Sequence, residues 1–562
     1  MASEFPSKAQ NLVEPLLRFT AERPNDVALW FVAHGQTTPV TYRELFEGAC
    51  RYASALQAKG IKSRDVVILL LDHSIDQYCG FIGAMLLGAV PSFMPPLTSK
   101  QKPGLYWAAH ATLFARIQPT ALIISAVRAK ELRRFIPTAD FAVLTVEECA
   151  KCMMALVRRE SLALDGIAFL QHSSGTTQLK RGVELSHRAV LAQISAYSGV
   201  LEIVQTDCIA SWLPLYHDMG LIACFIMPIV LGLPVVTINP FEWVGEPDIL
   251  LKAVEQHRCT LTWMPNFAFN HLVRTRRPEV RYDLSSMRAW INCSEPCRAA
   301  TFDRFVDCFA DCGVTDDRLQ VCYAMAETVF AVSQTDLARP VRRLRVDAAC
   351  LSPSARVIER ASNEKSVELL SCGEMLPGVE IAIIDEQSEA LPELHVGEIA
   401  VSASFLFSAY HRLPDRTAAK LHDGIYRTGD LGFLWHDQLQ VIGRVDDLII
   451  VNGRNCFCHE IEDIVAFTPG VRPGRAVAFA IEDAGGGSQV AVVVCESELG
   501  DGRGTLDLKR MIKESVFTQC DLTIHEVLFV PPGWIIKTTS GKLSRAANRR
   551  KYLVMRQKRV KL

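Results

Sequence analysis

Apolar and polar residues follow two rhythms along this chain. From about Leu12 to Glu22 and from Tyr42 to Lys59, apolar positions recur at helical spacing, whereas Val66–Leu71 is an unbroken apolar run of strand length. Ala121–Ser125, Phe141–Thr145 and Gly166–Leu170 repeat the strand pattern, followed by Cys208–Leu213, Thr260–Met264 and Arg288–Asn292. Helices alternating with apolar strands predict an α/β fold with a largely parallel sheet. The last three runs end in the turns Pro214–Asp218, Pro265–Phe269 and Cys293–Pro296. Ligands gather at the carboxyl ends of parallel strands, so these turns are expected to face one crevice.

Gly80–Pro96 and Met219–Pro240 share the order apolar helix, glycine turn, strand ending at proline, which predicts two related α/β halves. From Gly373 the pattern shifts to the short strands Val379–Ile384, Glu398–Val401 and Leu439–Ile442, a β-rich subdomain. Beyond Gly443–Asp447 the chain reads as a small α+β unit. It has the strand Leu448–Val451, a helix His459–Ala466, strands Ala476–Ala480 and Val490–Cys495, a helix near Leu506–Val516 and a final loop Lys537–Lys542. The expected organisation is a large N-terminal domain, 1–445, of two related α/β subdomains plus the β-rich one, and a small mobile C-terminal domain, 446–562.

At 562 residues, more than one core is required. Composition is that of an ordinary globular protein, and a net charge of −2 gives no reason to expect nucleic acid or an anionic membrane as partner. The basic tail from Arg549 reads as a solvated terminus. The start of the chain lacks the pattern of a signal peptide, which leads to the expectation of a cytoplasmic protein. Met219–Ile238 is uncharged and long enough to suggest a membrane span, but Pro228, Gly232 and Pro234 divide it. A buried helix, tight turn and buried strand fit better. Of the 18 cysteines, Cys293, Cys297, Cys308 and Cys312 have paired spacing that could suggest zinc. The second pair, however, lies on one face of an amphipathic helix, where burial accounts for it.

Candidate chemistry centres on Gln171–Gly182, a loop between a strand and a helix. Ser173, Ser174, Thr176 and Thr177 offer hydroxyls, Gly175 and Gly182 free backbone amides to turn inward, and Lys180 with Arg181 adds charge. Such a segment suits polyphosphate oxygens, although the GxxxxGK[ST] pattern is absent. A plain Ser/Thr/Gly-rich surface turn has the same composition.

The ordered motifs Trp212–Gly220, Pro265–Ala268, Asn292–Arg298, Tyr323–Thr328, Tyr426–Asp430, Gly443–Asp447, Asn452–Asn455 and Ser540–Lys542 resemble those of the adenylate-forming acyl ligases, and most closely the fatty acyl-AMP ligases. The resemblance covers nearly the whole chain. It implies ATP and Mg²⁺ as cofactors and a fatty or other hydrophobic carboxylic acid as substrate. Ser173, Ser174, Gly175, Thr176, Thr177, Arg181 and Gly182 would grip the β- and γ-phosphates. Glu327 would hold the metal with Thr328 beside it, a carboxylate oxygen suiting a hard cation. Tyr323 would lie against adenine, with Ser294, Glu295, Ala324, Met325 and Ala326 around it. Asp430 would accept from the ribose hydroxyls, with Arg444 nearby, and Lys542 would bridge carboxylate and α-phosphate as a point charge. At a separation of ~4 Å and an effective dielectric of about 20, that contact is worth on the order of 4 kcal/mol. Asp446 would be the hinge of the small domain. Trp212, Met219, Trp263 and Phe267 would line the acyl pocket.

Without the motif order, His217 reads as well as a buried histidine as a gate between the pockets. Glu327 could simply favour a helix dipole, and Asp430 could be a turn residue. The loop departs from the family at Gln178, Lys180 and Arg181, and Ala324 stands where glycine is usual. Arg342–Lys365 looks like the insertion of acyl-AMP ligases, which disfavours coenzyme A, so an acyl carrier protein is the expected acceptor. An acyl-CoA synthetase and a catalytically silent acyl-nucleotide binder remain the alternatives.

Overall fold

The computed structural model describes residues 9–98, 101–137, 140–154, 162–172, 181–361, 366–451, 454–466, 468, 471, 474–482, 489–497, 503–520, 522–537 and 543–560. The fold is α/β. Val90–Phe93, Val66–Leu70, Ala121–Ile124 and Ala142–Thr145 form, in that order, a four-stranded parallel sheet. Its central strand Val66–Leu70 is buried at every position, as a strand covered on both faces must be.

The second sheet has nine strands. Its parallel centre runs Leu319–Ala324, Ala289–Cys293, Leu261–Met264, Ile209–Ser211, Val235–Ile238 and Val27–Ala33. The edge hairpin Val27–Ala33 with Gln36–Thr41 is not marked by the pattern of the chain, because its second strand buries only Val40.

The related halves are visible in local structure. The helix Ile75–Leu86 leads through Gly88, at φ +72°, into the buried strand Val90–Phe93. The stretch Met219–Ile226, wound as a π-helix, and the helix Met227–Leu231 lead through Gly232, at φ +73°, into Val235–Ile238. The left-handed backbone reverses the chain within one residue, and only glycine adopts it without cost. Met219–Ile238 is thus the predicted helix, turn and strand. Among the described residues no helix is long and apolar enough to cross a membrane.

Val379–Ile384, Gly397–Ala403, Ile425–Trp435 and Gln438–Arg444 make an antiparallel sheet, the predicted β-rich part. Beyond it Ala476–Glu482, Gln489–Glu496 and Ile524–Val530 form a three-stranded sheet. Ile449, Ile461, Val493, Ile512 and Val527 belong to an apolar cluster separate from the one that fills the larger part of the chain. A further cluster joins the two parts: Leu344, Val346, Leu351 and Val357 pack with Phe433, Ile442 and Phe457. A Cβ on Gly443 would meet the Phe457 ring at 2.5 Å, so the close approach there requires glycine.

Candidate active site

Register brings the predicted turns together. Met264 lies opposite Asn292, and Cys293 opposite Cys322, in parallel strands. Pro265, Ser294 and Tyr323 therefore emerge side by side at one carboxyl edge. Pro265–Phe269 is not a free turn but the start of the helix Asn266–Thr275. The Glu295 carboxylate accepts from the Phe267 amide at 3.0 Å, satisfying one of the unpaired N–H groups at that helix end. Asn292 Nδ2 donates to Asn266 Oδ1 at 3.0 Å, fixing the same corner from the strand side.

Asp430 lies across from Tyr323. The Tyr323 hydroxyl donates to Asp430 Oδ2 at 2.6 Å, and Arg444 Nε donates to Oδ1 at 3.0 Å. Asp430 and Arg444 are register partners in the β-rich sheet, which is how residues from two strands meet here. Burial, reinforced by the Asp430 carboxylate, raises the Tyr323 pKa well above the usual phenol range and keeps the hydroxyl a donor. Asp430 in turn holds the Arg444 guanidinium firmly charged. Each carboxylate oxygen retains a second acceptor direction, the requirement for binding a vicinal diol.

Glu327 is in a single turn of 3-10 helix, Ala326–Thr328, not at the head of a long helix. The following Val329 has φ +64° and ψ −56°, and the Phe330 amide donates to Thr328 O at 2.7 Å, a γ-turn. A β-branched residue in this region costs on the order of 1–3 kcal/mol. The turn is held by the Thr328 hydroxyl, directed to Met325 O at 3.1 Å and Phe330 O at 2.9 Å. Thr328 is fully buried, so its oxygen serves the turn that aims Glu327.

The Tyr410 hydroxyl donates to Glu327 Oε1 at 2.7 Å, and the Phe407 amide donates to the Glu327 carbonyl at 2.8 Å. The Arg181 guanidinium lies over the Tyr410 ring, 5.5 Å from its centre. Tyr410 pairs with Val183 in the strand Gly182–Ser186, and the His411 amide donates to Gly182 O at 2.7 Å. The exit of the loop and Glu327 thus meet through one tyrosine. Glu327 Oε2 has no hydrogen-bond partner among the described residues. One carboxylate oxygen with room for phosphate oxygens fits Mg²⁺, which rarely needs an all-protein cage. Among the described residues no group of three or more His, Cys, Asp or Glu could hold a metal.

Trp212 stacks on Trp243 with ring centres 3.7 Å apart, and Phe267 lies edge-on to it at 6.0 Å. Met219 is buried at the start of the π-helical stretch, and His217 packs edge-on against Tyr216 at 4.8 Å. Trp263 makes no ring contact with the Trp212 group. It is fully buried, and its indole N–H donates to the Tyr197 hydroxyl at 2.8 Å on a buried chain that continues to Gln334. Two neighbours escaped the sequence reading. Trp243 and Tyr410 carry no spacing signal, because both reach the site only through tertiary packing.

Ser173, Ser174, Gly175, Thr176, Thr177, Gln178 and Lys180 lie outside the described residues, as do Asn452, Ser540 and Lys542. Asp446 is exposed in the short 3-10 segment Val445–Asp447. The next residue, Asp447, is buried and pairs with Arg545 at 2.6 Å, and Arg545 also binds Glu462 at 2.6 Å. Arg298 of the crevice motif reaches Asp463 at 2.6 Å across the junction.

Comparison with known proteins matches residues 16–411 to the model of the AMP-binding enzymes. The chain belongs to this family. The medium-chain-fatty-acid–[acyl-carrier-protein] ligase JamA of Moorena producens is a relative 28% identical over 548 residues, covering 93% of this chain and 92% of its own. A structure from work on fatty acyl-adenylate ligases of E. coli and L. pneumophila superposes with TM-score 0.88 at 26% identity, over 98% of each chain. The L. pneumophila fatty acyl-adenylate ligase in complex with acyl adenylate and pyrophosphate matches at TM-score 0.74 and 27% identity, over 97% of each.

Proposed function

We propose that this AMP-binding enzyme is a fatty acyl-AMP ligase. It activates a hydrophobic carboxylic acid with ATP to the acyl-adenylate and passes the acyl group to the phosphopantetheine thiol of a carrier protein. The observation that carries this reading is the linkage of two groups: Asp430, held by Tyr323 and Arg444, and Glu327, held by Tyr410 beneath Arg181, joined where the Tyr410 hydroxyl lies 3.4 Å from that of Tyr426 on the Asp430 strand.

In adenylation a carboxylate oxygen bonds to the α-phosphorus, the bond to the bridging β-phosphate oxygen breaks, and pyrophosphate leaves. Asp430 accepts from the ribose hydroxyls. The Tyr323 ring faces adenine, its hydroxyl already engaged by Asp430. Ser294, Glu295, Ala324, Met325 and Ala326 border the base. Residues Ser173 to Gly182 hold the departing phosphates, and Lys542 offers a point charge where two anions are brought together. Mg²⁺, when bound, neutralises charge on the phosphate oxygens. Glu327 Oε2 is the atom that would hold it.

Residues 446–562 act as a lid turning about Asp446, whose exposure leaves its backbone room to change. The carrier protein is favoured over coenzyme A because Leu344, Val346, Leu351 and Val357 of the insertion share a core with Phe457 of the lid, which restrains it. Eighteen free thiols favour a reducing compartment such as the cytoplasm.

Incubation with ATP, mixed fatty acids, coenzyme A and a phosphopantetheinylated carrier, with products identified by mass, tests the proposal. Acyl-adenylate and acyl-carrier are expected. A CoA thioester as chief product would make the protein an acyl-CoA synthetase. No acid-dependent pyrophosphate exchange across a broad panel would end the enzyme reading.

A further inference from the structure

Tyr410 has no place in the roles assigned so far, yet it touches two of them. Its hydroxyl donates to Glu327 Oε1 at 2.7 Å, its ring lies 5.5 Å beneath the Arg181 guanidinium, and its oxygen is 3.4 Å from that of Tyr426. Tyr426 belongs to the strand Ile425–Trp435 that carries Asp430. Tyr410 is 1% exposed, and its backbone is paired with the strand Gly182–Ser186 that leaves the phosphate loop.

We propose that Tyr410 is a positioning residue for adenylation: its hydroxyl fixes Glu327 with Oε2 free for the metal, and its ring seats Arg181 for the phosphates. The inference rests on the adenylation reading and on Glu327 as the metal carboxylate. The ring also gives the arginine a physical reason. A planar, weakly hydrated guanidinium lies flat on an aromatic face, whereas an ammonium is held as a point charge and stays better hydrated. One buried side chain thereby sets the relative position of an anion that takes the metal and a cation that takes phosphate.

Tyr410→Phe removes the hydroxyl and keeps the ring; Arg181→Lys keeps the charge and alters its fit to the ring. The full-length protein is titrated with Mg²⁺ at fixed ATP and with ATP at fixed Mg²⁺, reading the thermal shift as well as pyrophosphate exchange. With Tyr410→Phe, the Mg²⁺ needed for half of the ATP-induced shift should rise about tenfold, the scale of a lost hydrogen bond to a charged group. The KM for the fatty acid should not move. Arg181→Lys should weaken ATP and pyrophosphate and leave the Mg²⁺ midpoint near wild type.

A Tyr410→Phe protein with the wild-type Mg²⁺ midpoint overturns the proposal. So does one in which the fatty-acid KM and the Mg²⁺ midpoint rise by the same factor, the mark of a merely structural residue. Glu327→Gln keeps the two ideas apart. If it too leaves the Mg²⁺ midpoint unchanged, the assignment of the metal carboxylate fails. If only Tyr410→Phe is silent, that assignment stands and the role of Tyr410 fails.

Discussion

The Tyr323 hydroxyl lies 2.6 Å from Asp430 Oδ2, and this bond joins the last residues of the parallel sheet to the β-rich sheet. It makes Asp430 part of both the frame and the site. On the proposed role of Asp430 as acceptor from the ribose, Asp430→Ala removes that acceptor and leaves Arg444 without its partner. ATP affinity should fall about 10- to 100-fold, the scale of one or two charge-assisted bonds. Tyr323→Phe keeps the ring and should cost no more than about tenfold. Equilibrium binding of ATP to the two variants checks this; equal losses would show that the Tyr323–Asp430 bond, not the carboxylate's contact with the nucleotide, sets the affinity.

Residues 344–357 share an apolar cluster with Phe457, the contact through which the proposed lid would be restrained. The strands Arg343–Asp347 and Ser366–Leu370 pair antiparallel with Asp347 opposite Ser366, so a short Gly-containing turn can replace 348–365 without moving either strand. Leu351 and Val357 would leave the cluster that contains Phe457. The expected outcome is a rise in CoA thioester relative to acyl-carrier, with adenylation kept. An unchanged product ratio would mean that the insertion does not select the acceptor.

Asp446 is one residue before the buried Asp447, and Arg545 is three residues after Lys542. The 2.6 Å pair between Asp447 and Arg545 therefore ties the proposed hinge to the start of the helix Arg545–Val560. Asp446→Pro, which locks φ near −65°, should impair transfer to the thiol more than adenylation. Single-turnover measurement of each half-reaction distinguishes them, and equal loss of both argues against the hinge.

His187 links the start of the chain to the helix His187–Val200, its Nδ1 accepting from the Leu12 amide at 3.3 Å. Burial pushes its pKa from 6.5 down to about 4. The unfolded chain therefore binds the extra proton first as pH falls. The contribution is full above about pH 6.5 and is lost towards pH 4, at about 1.4 kcal/mol per pH unit. Between these limits His187→Gln should flatten the fall of stability with acid by close to one proton, read from denaturant unfolding at several pH values. A slope equal to wild type would show that His187 titrates normally.

Much of the architecture is legible in the one-dimensional pattern. Strands such as Val66–Leu70 and Leu261–Met264 are buried on both faces and must be apolar throughout, so they announce themselves. The turns after the central strands follow from the parallel order, since their carboxyl ends share an edge. What the pattern hides is anything set by partners distant in sequence. The hairpin strand Gln36–Thr41 buries only Val40, so alternation does not mark it.

The chain alone singled out Asp430, Glu327 and Arg181 as candidates, in an order that resembles one family. It did so because local sequence sets strand, turn and charge. The tertiary structure decided how they are held. Thr328 serves the γ-turn at Val329, Trp263 joins Tyr197 and not Trp212, and Tyr410, 83 residues from Glu327, supplies its hydrogen bond. These contacts depend on which strands meet across the crevice, and sequence spacing carries no record of distance between segments brought together only by folding.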